Sequence, residues 1–267
     1  MPLVELASVD GEIAPTEQTA IPVRDDGLYR GDGVFEVIRL YAGRPFALAE
    51  HLDRLERSAG AIELPVDRPA LEAEIAALLE RHGDEDGQLR LLLTRAGRRI
   101  LLTEELPPRT ETIRLATVTY SPTVILTGVK SLSYGANMQA TRIAAGKGAD
   151  EAVLVRPDGI VLEAPTSSIF WVSVEGPLRT PALSTGILES ITRSKLIREL
   201  HVEEGAFELD DLLSAHEAFL ASTTREVQAV SAIDGRELNA PGPRTREAAE
   251  GFARRLEDEL DAPTPAR

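Results

Sequence analysis

Apolar and polar positions along the chain divide it into short strands and longer helices. Strand-like runs at 3–8 and 13–22 flank an Asp10-Gly11-Glu12 turn. From Gly33 to Tyr41 the side chains alternate, so that Phe35, Val37 and Arg39 share one strand face while Glu36 and Ile38 share the other. An Ala42-Gly43 turn and a strand at 45–48 make this a hairpin. Leu52, Leu55 and Ala59 recur at helical spacing over 49–59, as do Leu71, Ile75, Leu78 and Leu79 over 68–81. Strands follow at 88–94 and 112–120, separated by a loop, 95–109, that carries Gly97, Pro107 and Pro108.

The break at Tyr120-Ser121-Pro122 reads as a connection between domains. It predicts a small N-terminal α+β domain at 1–119, a linker at 120–126 and a larger C-terminal domain at 127–267. The second half predicts a strand-like stretch at 124–126, a helix at 136–145 and a hairpin, 152–156 and 160–163, across Pro157-Asp158-Gly159. A strand at 169–174 and helices at 187–200, 209–214 and 245–260 complete it, and the tail from Asp261, with its two prolines, should fray. The fold class is α+β, with two segregated sheets that each meet helices on one side. No Gly-x-Gly-x-x-Gly follows a strand, and Lys147 lacks the surroundings of a P-loop, which argues against a doubly wound nucleotide-binding sheet.

Composition narrows the chemistry. A net charge of −15 repels nucleic-acid phosphate and anionic lipid. The absence of Cys removes disulfides, thiolate nucleophiles and thiolate-bound metals, and the four histidines are scattered without metal-ligand spacing, so no metal is expected. Met1-Pro2-Leu3-Val4-Glu5 has no signal-peptide character and no apolar run is long enough to span a bilayer, so a cytoplasmic location is expected. Of 29 basic residues only Lys130, Lys147 and Lys195 are lysines, so chemistry that needs a neutral amine has three candidates.

Lys130 sits among small and apolar residues that would partly desolvate it and favour the neutral nucleophile, although alone it also reads as a surface lysine. Arg54 in His51-Leu52-Asp53-Arg54-Leu55 suits bidentate phosphate binding or a helix-face salt bridge. Glu163 closes an apolar strand and would pair with a ring nitrogen or cap a turn. Ser190, Ile191 and Thr192 stand at a helix start, which is an anion site by geometry or a plain cap. Ser222-Thr223-Thr224-Arg225 is a polar cluster suited to oxygen anions.

The order of these segments carries more than any one of them. Arg30-Gly31-Asp32-Gly33-Val34-Phe35-Glu36, His51-Leu52-Asp53-Arg54-Leu55, Lys130-Ser131-Leu132, Asp150-Glu151-Ala152, Glu163 with Phe170, Ile191-Thr192-Arg193 and Ser222-Thr223-Thr224 together resemble the fold-type IV pyridoxal-phosphate enzymes over residues 3 to 235. That family includes D-amino acid and branched-chain aminotransferases, (R)-selective amine transaminases and aminodeoxychorismate lyases. The resemblance implies a small α/β sandwich plus a larger domain with a barrel-like sheet, the cofactor pyridoxal 5′-phosphate, and a homodimer. It further implies that Lys130 bonds the cofactor and shuttles the proton. Arg54, Ser190, Ile191, Thr192 and Thr223 then hold the phosphate, Glu163 the pyridine nitrogen, and Tyr134 the phenolic oxygen. Ser190 replaces the usual Gly of the Gly-Ile-Thr-Arg run, and Ala164-Pro165 a Gly-small pair.

Within the family, Phe35 resembles branched-chain enzymes, whereas the following Glu36-Val37 and the Ser222-Thr223-Thr224 run resemble D-amino acid enzymes. By this resemblance Arg30, Phe35, Val37, Arg98, Arg99, Thr224 and Arg225 bind the substrate, with Arg98 and Arg99 the candidates for its carboxylate. The reading is a transaminase that passes the amino group of D-amino acids, or of (R)-primary amines, to a 2-oxo acid such as 2-oxoglutarate or pyruvate. A 4-amino-4-deoxychorismate lyase, a branched-chain L-amino acid aminotransferase and a non-catalytic ligand-binding domain are the alternatives. Lys130 argues against the last of these.

Overall fold

The computed structural model describes residues 5–261, which form two compact units. One holds residues 5–108, Val129–Tyr134 and 259–261; the other holds Arg109–Gly128 and Gly135–Asp258. Leu3 and Val4 of the expected first strand and the tail beyond Asp261 lie outside the described residues.

In the first unit, β1 (Leu6–Val9), β2 (Glu12–Pro15), β3 (Gly33–Tyr41), β4 (Arg44–Pro45), β5 (Gly87–Thr94) and β6 (Arg99–Glu104) form one antiparallel sheet in the order β2-β1-β6-β5-β3-β4. Its helices are α1 (Asp26–Arg30), α2 (Leu48–Ala61) and α3 (Arg68–His82). Leu52, Leu55 and Ala59 of α2 and Leu71, Ile75 and Leu78 of α3 bury themselves against Val34, Ile38, Leu40, Leu89, Leu91 and Leu101. Each buried aliphatic side chain contributes about 1.5–3 kcal/mol. That surplus lets the same sheet face carry one fully buried carboxylate, Glu36.

β6 lies within the stretch expected to be loop. Gly97, at φ +83°, reverses the chain in four residues and sets Leu91 opposite Leu101, while the two prolines fall beyond the strand. Glycine is also required just before β3. Gly31 caps α1 in the left-handed region at φ +68°, and a Cβ on Gly33 would lie 2.2 Å from the Leu93 carbonyl oxygen.

The second unit contains β7 (Thr112–Thr119), β8 (Glu151–Val155), β9 (Ser168–Val172), β10 (Leu178–Pro181), β11 (Val202–Gly205), β12 (Glu217–Ser222), β13 (Glu226–Ile233) and β14 (Arg236–Glu237). They form a curled mixed sheet in the order β11-β10-β9-β12-β13-β7-β8, with β14 paired to β13. The helices are α4 (Gly135–Gly146), α5 (Ile191–Glu199), α6 (Leu209–Ser214) and α7 (Pro243–Asp261). Trp171 and Leu220 pack with Leu212 of α6, and the Trp171 indole donates to Asp211 at 2.7 Å.

The observed grouping differs from a division at 120–126. β7, expected in the small domain, pairs in parallel with β8 and β13, so it belongs to the second sheet. Residues 124–126 form a 3₁₀ turn rather than a strand, and Val129–Tyr134 belongs to the first unit. Alternation identifies a strand but says nothing about its partner, and a segment of six residues carries no local mark of its domain. The helix expected from 187 begins only at Ile191, because Ser190 is extended and caps it. Among the described residues no helix is long and apolar enough to cross a membrane.

Candidate active site

Lys130 is fixed through its backbone before its side chain is considered. Its N–H donates to Ser58 Oγ of α2 at 3.1 Å, and its carbonyl accepts from Phe35 N–H at 3.0 Å. Leu132 N–H donates to the Gly33 carbonyl, so this segment lies antiparallel along the start of β3. The half-buried amine sits 4.3 Å from the centroid of the Phe35 ring, a cation–π contact. Tyr134 meets the same ring edge-to-face at 5.2 Å. Three residues expected in the site are therefore brought together within one unit.

Arg54 is almost wholly buried and grips Glu36 in a two-pronged pair, with Nε to Oε1 and Nη2 to Oε2 both at 2.7 Å. His51 Nδ1 lies 2.8 Å from Glu36 Oε2. Burial by itself would raise the Glu36 carboxyl, but the charge and hydrogen bonds of Arg54, aided by His51, hold it at about 2. Burial lowers His51, so the ring is neutral and its Nδ1–H is the donor to Glu36. Glu36, His51 and Ser58 were not among the expected site residues. The signal was present: Glu36 is an acid on the apolar face of its strand, and His51, Arg54 and Ser58 share one face of a helix at spacings of three and four.

The other expected groups belong to the second unit and are described there. Glu163 is half-buried and accepts from Leu188 N–H at 3.0 Å; burial and its charge push the Tyr120 phenol up. Ser190 caps α5, taking the N–H of Arg193 at 3.3 Å, so its hydroxyl serves the helix. The amides of Ile191 and Thr192 find no acceptor among the described residues and stand at the positive end of the helix dipole. Thr223 and Thr224 lie in the turn that joins β12 to β13.

The arginines expected at the substrate divide differently. Leu93 stands opposite both Val34 and Arg99, so Arg99 shares the helix-covered face, away from Phe35, and pairs with Glu74 of α3 at 2.7 Å. That placement turns Arg99 away from the strand face that carries Phe35. Arg98 is held by Asp10 at 3.0 Å and Asp25 at 3.2 Å, and Arg225 by Glu151 and Gln228. Both are committed to internal acids, which sequence spacing does not reveal. Arg30 is exposed and 3.7 Å from Asp26, while Val37 is half-buried on the Phe35 face.

Residues 33–233 match the family model described as amino-transferase class IV. A D-alanine aminotransferase of Bacillus licheniformis is 34% identical over 262 residues, covering 89% of this chain and 92% of the relative. A putative branched-chain-amino-acid aminotransferase of Methanocaldococcus jannaschii is 34% identical over 256 residues, covering 86% and 88%. The solved structure of a hypothetical aminotransferase from Mycobacterium tuberculosis in its PLP-bound form superposes with a TM-score of 0.86 at 25% identity, covering 95% of this chain and 99% of that one. The chain belongs to the class IV aminotransferases, enzymes of fold type IV whose cofactor is pyridoxal 5′-phosphate.

The donor set fits that cofactor. An amine held over an aromatic ring suits its aldehyde. Within the first unit a buried guanidinium suits a phosphate; within the second, two amides at a helix start suit an anion and a half-buried carboxylate suits a ring nitrogen. Ser167 Oγ, four residues after Glu163, is buried without a hydrogen-bond partner among the described residues, which leaves a polar atom for a bound group or water.

Proposed function

We propose that this enzyme is a homodimeric transaminase that moves the amino group of D-amino acids, and of (R)-primary amines, to a 2-oxo acid such as 2-oxoglutarate or pyruvate. The observation that carries the reading is the Lys130 amine at 4.3 Å over Phe35, with Val37 on the same strand face, in a chain 34% identical to a D-alanine aminotransferase. Bound pyridoxal phosphate supplies an electron sink for the pair left at the donor Cα when its proton departs. Lys130 Nζ would take that proton from the donor Cα and hold it for return, which is general acid–base work for one amine. Phe35 shields the amine from water on one side and favours its cationic state after proton transfer.

The Glu163 carboxylate would hold a protonated ring nitrogen by a charge-assisted hydrogen bond. In the first unit Arg54 would hold phosphate oxygens and Tyr134 the phenolic oxygen; in the second, the amides of Ile191 and Thr192 and the Thr223 hydroxyl would be phosphate donors. Val37 and Arg30 in the first unit and Thr224 in the second would contact the substrate; Arg98 and Arg225 would reach a substrate carboxylate only by leaving their acid partners. The Phe35–Tyr134 pair favours a second reading, branched-chain L-amino acid transamination.

The deciding experiment mixes the holoenzyme separately with D-alanine, D-glutamate, L-leucine and (R)-phenylethylamine and follows the cofactor absorbance. Bleaching by the D-amino acids and the (R)-amine is expected. A response to L-leucine alone overturns the D-assignment, and pyruvate release from aminodeoxychorismate without an acceptor selects the lyase.

A further inference from the structure

The Glu36–Arg54–His51 cluster is costly where it stands. Val34, Ile38 and Leu40 make the rest of that strand face apolar, and an aliphatic pair in place of Glu36 and Arg54 would continue the core without desolvating two charges. The geometry is nevertheless specific. Both prongs of the guanidinium meet the carboxylate at 2.7 Å, which fixes the plane of Arg54, and His51 bonds the same carboxylate at 2.8 Å and fixes its rotamer in turn.

We infer that Glu36 and His51 are positioning residues that hold the Arg54 guanidinium in the orientation that binds the cofactor phosphate. The inference rests on the proposed phosphate role of Arg54 and adds the two residues through which that role acts. Glu36 also cancels the charge of Arg54, so the two effects of removing it have opposite signs. If neutralisation were its only effect, loss of the carboxylate would tighten phosphate binding. If orientation governs, the same loss weakens it. A Gln at position 36 accepts from one prong at most and turns its amide N–H toward guanidinium donors, so orientation is lost while volume is kept.

The test removes the cofactor from the purified enzyme and its variants and titrates back graded pyridoxal 5′-phosphate and, separately, pyridoxal, which has the same ring and aldehyde without the phosphate. Glu36→Gln is expected to raise the Kd for the phosphorylated cofactor at least tenfold and that for pyridoxal less than twofold. Unchanged or tighter binding of the phosphorylated form, or equal loss for both ligands, overturns the inference. Should Glu36→Gln fail to fold, His51 decides. His51→Leu is expected to weaken the phosphorylated form selectively by at least threefold, and His51→Asn, whose amide replaces the Nδ1–H donor, to restore it within twofold; no selective loss, or no rescue, overturns the positioning role. Arg54→Gln separates the two levels: equal loss of both ligands in that variant removes the phosphate role of Arg54 itself.

Discussion

Ser58 Oγ accepts the backbone N–H of Lys130 at 3.1 Å, which ties the central amine of this enzyme to the last turns of α2. Ser58 is buried, so its loss leaves that amide without a partner. Ser58→Ala is expected to cost about 1–3 kcal/mol in denaturant unfolding. It should also slow borohydride fixation of the cofactor, because the Lys130 segment then docks less tightly on β3. An unchanged unfolding midpoint would show that water replaces the hydroxyl.

The three lysines should behave differently. Lys130→Ala is expected to abolish turnover while the far-ultraviolet circular dichroism stays close to wild type, since the residue is only half-buried and its segment is held on β3 through backbone hydrogen bonds. Lys147 is exposed and donates to the Thr117 carbonyl at 2.7 Å. Lys147→Ala should shift stability by under about 0.5 kcal/mol and leave kcat unchanged. Peptide mapping after borohydride reduction must find the cofactor on Lys130.

Acid should destabilise the first unit earlier than ordinary surface carboxylates would. His51 is lowered in the fold by burial, so below its usual 6.5 the unfolded chain binds a proton that the folded chain refuses. Glu36 is held at about 2 against an ordinary 4.5, so the stability it contributes, on the order of 3 kcal/mol, is present above 4.5 and lost as pH falls toward 2. Both effects have the same sign: unfolding free energy should rise with pH from about 2 to 6.5. Glu36→Gln should flatten the lower part of that profile, and a profile of unchanged slope would contradict the assignment.

Arg225 is expected to be chiefly a structural partner. Glu151 is buried and its carboxyl is raised by burial, while Arg225 and the Thr166 hydroxyl pull it back down. Arg225→Ala leaves that acid uncompensated and should cost about 3–5 kcal/mol. The penalty should grow with pH, because a carboxyl raised in the fold is destabilised as it ionises. Combining it with Glu151→Gln should recover at least half of the loss. If instead the KM for the 2-oxo acid rises while stability is unchanged, Arg225 serves the substrate.

Much of this was written locally in the chain. The period of Leu52, Leu55 and Ala59, the alternation along β3, and Gly31 and Gly33 around a tight approach are properties of neighbours in sequence, and physics acts on them directly through burial and backbone freedom. The succession of Phe35-Glu36, Arg54, Lys130, Glu163 and Ile191-Thr192 likewise marked the family and its cofactor. Partnership was not written there. That β7 joins β8 and β13, that Val129–Tyr134 returns to β3, that Arg99 faces Glu74, and that Glu36 is buried against Arg54 depend on which distant surfaces meet when the core closes. Strand pairing and ion pairing between remote residues are chosen by the total burial of the whole fold, and only the tertiary structure records that choice.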